Sequence, residues 1–280
     1  PGPHVSFTKS KYVRELFASS VADAYDEYEV RTGNHYRGNW IDHPAQTSLY
    51  QLPEPLRSQC VASFLESRTA ATAASNEHNY LHWLNRAFGP VFAHTFPAAY
   101  TRKYWTRDAQ ELTTDWLGER IFYPSPEDVI QGSLGPLNKN THYISKVRYP
   151  KSGGFQSFAA NLLQGCNVQT KSEVTKVDLR KKKVWTSNGQ CHDYTRLINT
   201  IPLPEFIAAC MDVPPRVLEA ARSLLATEVI LVNVMAGHPT VRPENWLYVY
   251  DEDLLSTRIN CTERLTPTNA PRGSTGVQVE

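Results

Sequence analysis

The sequence predicts an α/β (α+β) protein in which a helical subdomain is joined to a mixed or antiparallel sheet. Three observations carry this reading. Between Pro53 and Phe122 apolar residues recur at helical spacing, whereas from Tyr143 onward they alternate or run in short blocks, as strands do. The chain has 280 residues, enough for one large core or two domains. Hydrophobic residues make up 41% and charged residues 20%, which is the balance of an ordinary globular chain able to fill such a core.

At the start, Pro1–Phe7 (PGPHVSF) reads as a Pro/Gly turn running into a short strand, with His4 at the junction. Taken alone, His4 is a structural histidine. Residues 35–53, HYRGNWIDHPAQTSLYQLP, interleave Arg37, Trp40, His43 and Gln46 with turn residues. Such a segment suits the lining of a cleft and an ordered surface loop about equally. Pro53 to Ser67 then reads as a helix with Leu56, Cys60, Val61, Phe64 and Leu65 on one face. A small-residue linker, TAATAAS, leads to a second helix from about Asn76 to Phe88, stopped by Gly89 and Pro90.

The stretch Phe92–Arg120 is the centre of the reading. It sets Phe92, Phe96, Tyr100, Tyr104, Trp105 and Trp116 beside the cations Arg102, Lys103, Arg107 and Arg120. Its second half predicts a helix: Asp108 can cap it, Glu111 completes a capping box, and Leu112, Trp116 and Leu117 form an apolar face. Arg120, one turn past Trp116, can offer its planar fork to a carboxylate or a phosphate. Pairing with a nearby Asp or Glu is the plainer alternative, and Trp105 and Trp116 are core residues by default. Pro124 and Pro126 mark the exit from the helical region.

Beyond it, ISKVRYP reads as a strand and SGGFQSFAANLLQG as a helix. Strands follow within 167–179, 183–186 and 196–200, and the run Arg180–Lys183 fits a charged hairpin turn better than a nucleic-acid patch. Pro215 to Leu225 predicts a short helix. The remainder, EVILVNVMAG, NWLYVYDED, LSTRINC and TGVQVE, has the spacing of an antiparallel sheet, with Trp246, Tyr248 and Arg258 on its strands. The resulting divisions are 1–52, 53–142, 143–225 and 226–280.

A net charge of +1 argues against a dedicated nucleic-acid binder. The longest apolar run, Val229 to Ala236, is too short to span a bilayer. Five scattered cysteines lack metal or redox spacing, so reduced thiols in a cytoplasm fit them. The nine histidines show no paired spacing, and no metal site is expected. There is no GxGxxG or GxxxxGK[ST] loop. The chain opens on Pro1 and ends in an apparent strand, so both ends read as cut from something longer.

Several pieces, in order, resemble the flavoprotein family of UDP-galactopyranose mutases and related amine-oxidase-like FAD proteins. They are GPHVSF, RGNWIDHPAQ, FPAAYTRKYW through DWLGER, RYPKSGGFQSF, EVTKVDL with LINTIPLPEF, and WLYVYDEDLLSTR. The resemblance covers most of the chain. It implies an FAD-linked two-domain fold whose N-terminal dinucleotide unit lies before residue 1. On that basis 1–52 is a flavin-proximal turn and cleft segment, 53–142 a helical substrate subdomain, 143–225 the second FAD-binding section and 226–280 a substrate-domain sheet.

Carried across, Gly2 and His4 match a turn passing the flavin ring, with Pro3 in place of the family's second glycine. Val174, Thr200 and Pro202 match FAD-contacting positions. On the substrate side Gln46 belongs to the cleft segment, Trp105 matches an aromatic beside the nucleotide sugar, and Trp246 and Tyr248 match wall residues. Arg120 and Arg258 match a pair clamping the diphosphate, and Leu265 stands where the mutases carry a tyrosine. The implied activity is non-redox: flavin N5 attacks the anomeric carbon of a nucleotide sugar while paired arginines stabilise the departing diphosphate. The rivals are an FAD oxidoreductase of the amine oxidase or protoporphyrinogen oxidase type, and a non-enzymatic binding module.

Overall fold

A computed structural model describes residues 4–69, 78–118, 121–137 and 146–280. The chain mixes helices and sheets in two compact units, Pro1–Leu162 with Val229–Glu280, and Leu163–Glu228. The second unit begins later than the 143 boundary read from the sequence. The reason is pairing: strand β4 (Lys146–Pro150) runs antiparallel to β1 (Tyr25–Glu29) in the first unit.

Along the chain, α1 (Lys11–Ser20) starts at Ser10, whose hydroxyl accepts from the Val13 amide. The supposedly irregular segment after it holds a β-hairpin, β2 (Thr32–Tyr36) and β3 (Asn39–Asp42), followed by single 3-10 turns at Ala45–Thr47 and Leu49–Gln51. Its two turn residues both have positive φ, 48° at Arg37 and 78° at Gly38, as a two-residue hairpin turn requires. An arginine at the first of them hides the signal.

The helical region comprises α2 (Glu54–Thr69), α3 (Tyr80–Phe88), α4 (Pro90–Ala93) and α5 (Ala99–Trp105). Residues 76 and 77 of the second expected helix lie outside the described residues. Asn79 caps α3 by accepting from the His82 amide, and Gly89 ends it at φ 76° and ψ 146°. A Cβ there would lie 2.5 Å from the Phe64 backbone nitrogen, so glycine also permits α2 to approach. Between α4 and α5 the helix widens to a π turn at His94–Ala98, around Pro97, which has no N–H to give.

The helix expected from Asp108 to Arg120 is not present as such. The Asp108–Glu111 capping box forms, but it caps one 3-10 turn, Ala109–Glu111. Leu112 then turns extended and its carbonyl accepts from the Tyr80 amide at 2.9 Å, while Thr113 bridges Asn79. Pairing with the start of α3 has displaced the helix. Leu117 is buried all the same, and Leu112 and Trp116 pack on the same core. Pro126 opens a further helix and does not merely mark an exit: α6 (Pro126–Leu134) is capped by Ser125 and Asp128.

After β4 comes a 3-10 stretch, Phe155–Leu163, where a helix was read. The second unit holds the meander β5 (Val174–Asp178), β6 (Lys183–Thr186) and β7 (Cys191–Asp193), then α7 (Leu203–Ala209) and α8 (Pro215–Ser223). The basic run at 180–182 is the β5–β6 turn, tied down by the Asp178 carboxylate, which accepts from the amides of Arg180 and Lys181. The strand expected at 196–200 does not form. Asn199 bonds both backbone groups of Ile201 and curls that segment into a turn.

The chain finishes with β8 (Val232–Ala236), β9 (Trp246–Val249), β10 (Arg258–Cys261) and β11 (Thr275–Val279). With the hairpin these make a six-stranded sheet in the order β3-β2-β9-β10-β11-β8. Only the β2–β9 pairing is parallel, so the sheet is mixed. One cross-strand row runs Ile41, Asn34, Tyr248, Arg258. The main core, including Phe64, Leu84, Phe92 and Phe96, lies among the helices and the segment after β3.

Candidate functional site

A cleft of about 320 Å³ opens in the first unit. Three pieces of chain wall it. The π turn and α5 bring Pro97, Tyr100, Thr101, Tyr104 and Trp105; the segment after β3 brings His43, Pro44 and Gln46; Trp116, Ile121 and Phe122 close a third side. Tyr80, Phe88, Phe92 and Tyr250 line it as well. Tyr100 and Tyr104 share one face because they stand four residues apart in α5, which follows the widened turn at Pro97. Thr101 locks it by donating to the Pro97 carbonyl at 2.7 Å.

Ring contacts run almost without a break. Tyr100 stacks on Tyr104 at 5.7 Å, Tyr104 meets Trp105 at 5.0 Å, and Trp116 meets Trp105 at 6.2 Å and Tyr80 at 5.1 Å. Tyr248 joins from the sheet, 5.6 Å from Tyr100 and 5.3 Å from the His43 ring. Trp105 is 38% exposed and Tyr104 43%, so flat aromatic area is left open for a ligand. Burial pushes the Tyr80 hydroxyl up to about 12, partly offset by its hydrogen bond with Thr101, and burial raises Tyr100 and Tyr250 as well. These phenols are neutral hydrogen-bonding groups across the physiological range.

The described cations of the central stretch, Arg102, Lys103 and Arg107, turn elsewhere. Arg102 pairs with Glu252 and Asp108, Arg107 pairs with Glu111, and Lys103 donates to the carbonyls of Val249 and Asp251. Burial lowers the Lys103 pKa, against the pull of Asp251, Asp253 and Glu252. Among the described residues the cleft lining holds no Lys or Arg.

The residues singled out from the sequence are only partly brought together. Gln46 and Trp105 both line the cleft, and the Gln46 amide donates to the Phe122 carbonyl at 3.0 Å. Tyr248 touches the cleft through Tyr100, and Arg258 is its cross-strand neighbour. Arg258 does not stand open: its guanidinium forms a two-pronged bond to Glu280 at 2.7 and 2.9 Å. Burial would lower its pKa, but the hydrogen-bonded Glu280 outweighs that and the pKa is raised. Trp246 is buried in the sheet away from the cleft lining, with its indole N–H lacking a partner.

Gly2 and Arg120 lie outside the described residues, although Ile121 and Phe122 beside Arg120 do line the cleft. His4 is exposed and meets the Phe155 ring at 5.6 Å. Val174, Thr200 and Pro202 belong to the second unit: Val174 opens β5, and Thr200 and Pro202 are exposed on the turn before α7. Leu265, at the position where a tyrosine was expected, is buried.

Tyr80 and Tyr250 were not read as site residues. Nothing at helical or strand spacing distinguishes them from core aromatics, and their place in the cleft follows from packing alone. All five cysteines are free thiols. No helix among the described residues is long and apolar enough to cross a membrane, and no cluster there could hold a metal ion.

No family model matches this chain. Among solved structures it is similar to reduced UDP-galactopyranose mutase, with a TM-score of 0.85 at 20% identity, over 99% of this chain and 62% of that one. It is also similar to a putative protoporphyrinogen oxidase from Exiguobacterium sp. 255-15, with a TM-score of 0.64 at 13% identity, over 99% of this chain and 64% of the other. An oxidoreductase from Methanosarcina mazei matches with a TM-score of 0.55 at 14% identity, over 95% and 63% of the two chains. The fold is shared with these proteins, and this chain spans less than two thirds of their length.

Proposed function

We propose that the protein is an FAD-dependent enzyme of the UDP-galactopyranose mutase kind, acting on a nucleotide sugar held in the aromatic cleft. The observation that carries this reading is the cleft itself. Gln46 and Trp105 meet in it, Tyr248 and Arg258 stand behind Tyr100, and the fold is shared at a TM-score of 0.85 with a mutase of that name. Open aromatic faces suit a base and a sugar ring. A nearby guanidinium suits a diphosphate, and Arg120, outside the described residues, would be its second cation. Any role in polysaccharide biosynthesis follows only from this substrate class.

The residues present suit the cofactor. In the second unit the turn at Thr200–Pro202 is preformed by Asn199 and flanked by Ile198, which is 90% exposed, an arrangement fitted to one side of a flat dinucleotide. Bound FAD would supply a nitrogen able to act as nucleophile or hydride acceptor, and hydride acceptance is beyond any side chain. The chain's own part is to bind and orient the sugar, keep water out with the tyrosines, and neutralise the leaving diphosphate.

One observation favours a second reading. Arg258 is already neutralised by Glu280, and the described lining is aromatic without a cation, as an oxidase cage for an amine or porphyrinogen would be. The test is turnover in the full-length protein. The mutase reading expects interconversion of UDP-galactose ring forms by the reduced flavoprotein alone, without net consumption of reductant. The oxidase reading expects an amine or porphyrinogen to bleach the flavin band, and no sugar interconversion.

A further inference from the structure

The turn between β5 and β6 belongs to the second unit and supplies no residue to the cleft lining. Strand pairing closes at Asp178 and Lys183, which leaves Leu179, Arg180, Lys181 and Lys182 as the connection, all four exposed. The turn is fixed from within. The Asp178 carboxylate, itself 6% exposed, accepts from the Arg180 amide at 3.0 Å and the Lys181 amide at 2.8 Å. On one side the Tyr194 amide donates to the Lys182 carbonyl at 3.0 Å, so the chain leading to the exposed Arg196 leaves β7 at the same end of the meander.

The acids at this end do not answer the cations of the turn. Asp178 is turned in on backbone amides, and Asp193 is taken by Lys183 at 2.8 Å. Asp212 lies on the other flank of β5, one residue past the Met211 amide that donates to the Val177 carbonyl at 2.8 Å. Among the described residues no acid pairs with Arg180, Lys181 or Lys182. Lys182 has a φ of 54°, in the region that favours glycine, so a cation is carried there at some cost to the backbone. Beside the three cations stands Leu179, 51% exposed, an apolar side chain that the interior of its unit does not take up.

That combination narrows the partner. A projecting turn of four residues offers no groove in which a peptide could lie. Nucleic acid would use the cations and leave the leucine idle. An anionic lipid surface uses both, because its headgroups attract the cations while an apolar side chain enters the boundary with the acyl chains. We propose that the β5–β6 turn is a peripheral docking tip for an anionic lipid surface, with Leu179 inserted and Arg180, Lys181 and Lys182 at headgroup level. The contact is reversible, since one leucine and three cations fall far short of a stable anchor.

Co-sedimentation of the purified protein with lipid vesicles tests this, and nothing in it depends on a nucleotide sugar. Vesicles of phosphatidylcholine with phosphatidylserine should bind the protein and vesicles of phosphatidylcholine alone should not, with binding falling as salt is raised. Each charge removed should weaken binding roughly five-fold, so Lys181→Gln combined with Lys182→Asn, which tolerates positive φ, should weaken it about thirty-fold. Leu179→Ala should weaken it about three-fold, a loss that persists when salt is raised. Lys11→Gln, at an exposed cation of the first unit, should change nothing. These variants alter exposed side chains, and an unchanged circular dichroism spectrum will show that they fold. Absent binding to phosphatidylserine vesicles, equal binding to neutral ones, or binding indifferent to the turn substitutions would overturn the proposal. So would capture of duplex DNA or polyglutamate by the turn cations without vesicle binding, which would give the tip a different partner.

Discussion

The helical wall of the cleft and the second unit are built on opposite terms. Around the cleft Leu84, Ala87, Ala93 and Phe96 are wholly buried, and aromatic rings lean on one another from Phe88 to Phe92, Phe96 and Tyr250. The second unit buries Val177 and little else that is apolar, while leaving Ile198 90% exposed, Leu225 68% and Val168 60%. A region of the first kind holds its shape by its own packing. A region of the second kind has too little interior of its own and depends on whatever covers its apolar side chains, whether cofactor or further protein. The cleft wall is rigid enough to be pre-organised, whereas the second unit would gain stability from a bound FAD if it holds one as proposed.

The largest effect should come from removing the keystone of the first region. Phe96→Ala deletes a ring in contact with Tyr36, Phe92 and Tyr250 and should cost about 3–5 kcal/mol in denaturant unfolding. The equivalent deletion in the second unit, Val177→Ala, should cost about 1.5–3 kcal/mol and be partly masked when FAD is supplied. Equal losses that ignore FAD would erase the contrast. Gly89→Ala comes next. It forces an L residue into a glycine-only backbone conformation, worth about 1–3 kcal/mol. Its Cβ would also press on the backbone of Phe64, so the measured loss should reach at least that range.

Titration sharpens the same point. The Tyr80 pKa is raised by burial from 10.0 to about 12. The unfolded chain releases that proton first, so the stability from keeping it neutral is complete below pH 10, falls between about 10 and 12, and is gone above. Alkaline unfolding of Tyr80→Phe should therefore depend less steeply on pH in that window. An unchanged profile would mean the helical wall is wetter than described.

Legibility in the sequence followed the same division. The helices at 54–69 and 80–88 were readable because their burial is one-sided, and the strands after 232 because short apolar blocks recur there at the spacing of an antiparallel sheet. The helix read from Asp108 was wrong for a physical reason: its local signals were sound, but Tyr80 claims the Leu112 carbonyl from a distance. The β2–β3 hairpin was missed because arginine occupies its first turn position, where asparagine or aspartate would have announced it. Of the cleft, Gln46 and Trp105 were legible, whereas Tyr80 and Tyr250 look like any core aromatic until the chain is folded. The pairing of Arg258 with Glu280 spans 22 positions and no local pattern betrays it.

The smallest effect concerns that misread turn. Asp108→Ala removes a capping box from a single 3-10 turn and should cost about 1 kcal/mol at most, without changing ligand affinity. A loss like that of Phe96→Ala would mean the turn, not the helical core, sets the cleft.

The proposed role of the aromatic cleft in holding a uridine nucleotide is tested most directly by tryptophan fluorescence, because Trp105 and Trp116 line it. Titrating uridine diphosphate into the purified protein should quench that emission saturably. The curve should weaken roughly ten-fold in Trp105→Ala, and strengthen in Glu280→Gln, which releases the Arg258 fork. No saturable quenching in the parent protein, or affinity indifferent to both substitutions, would contradict it.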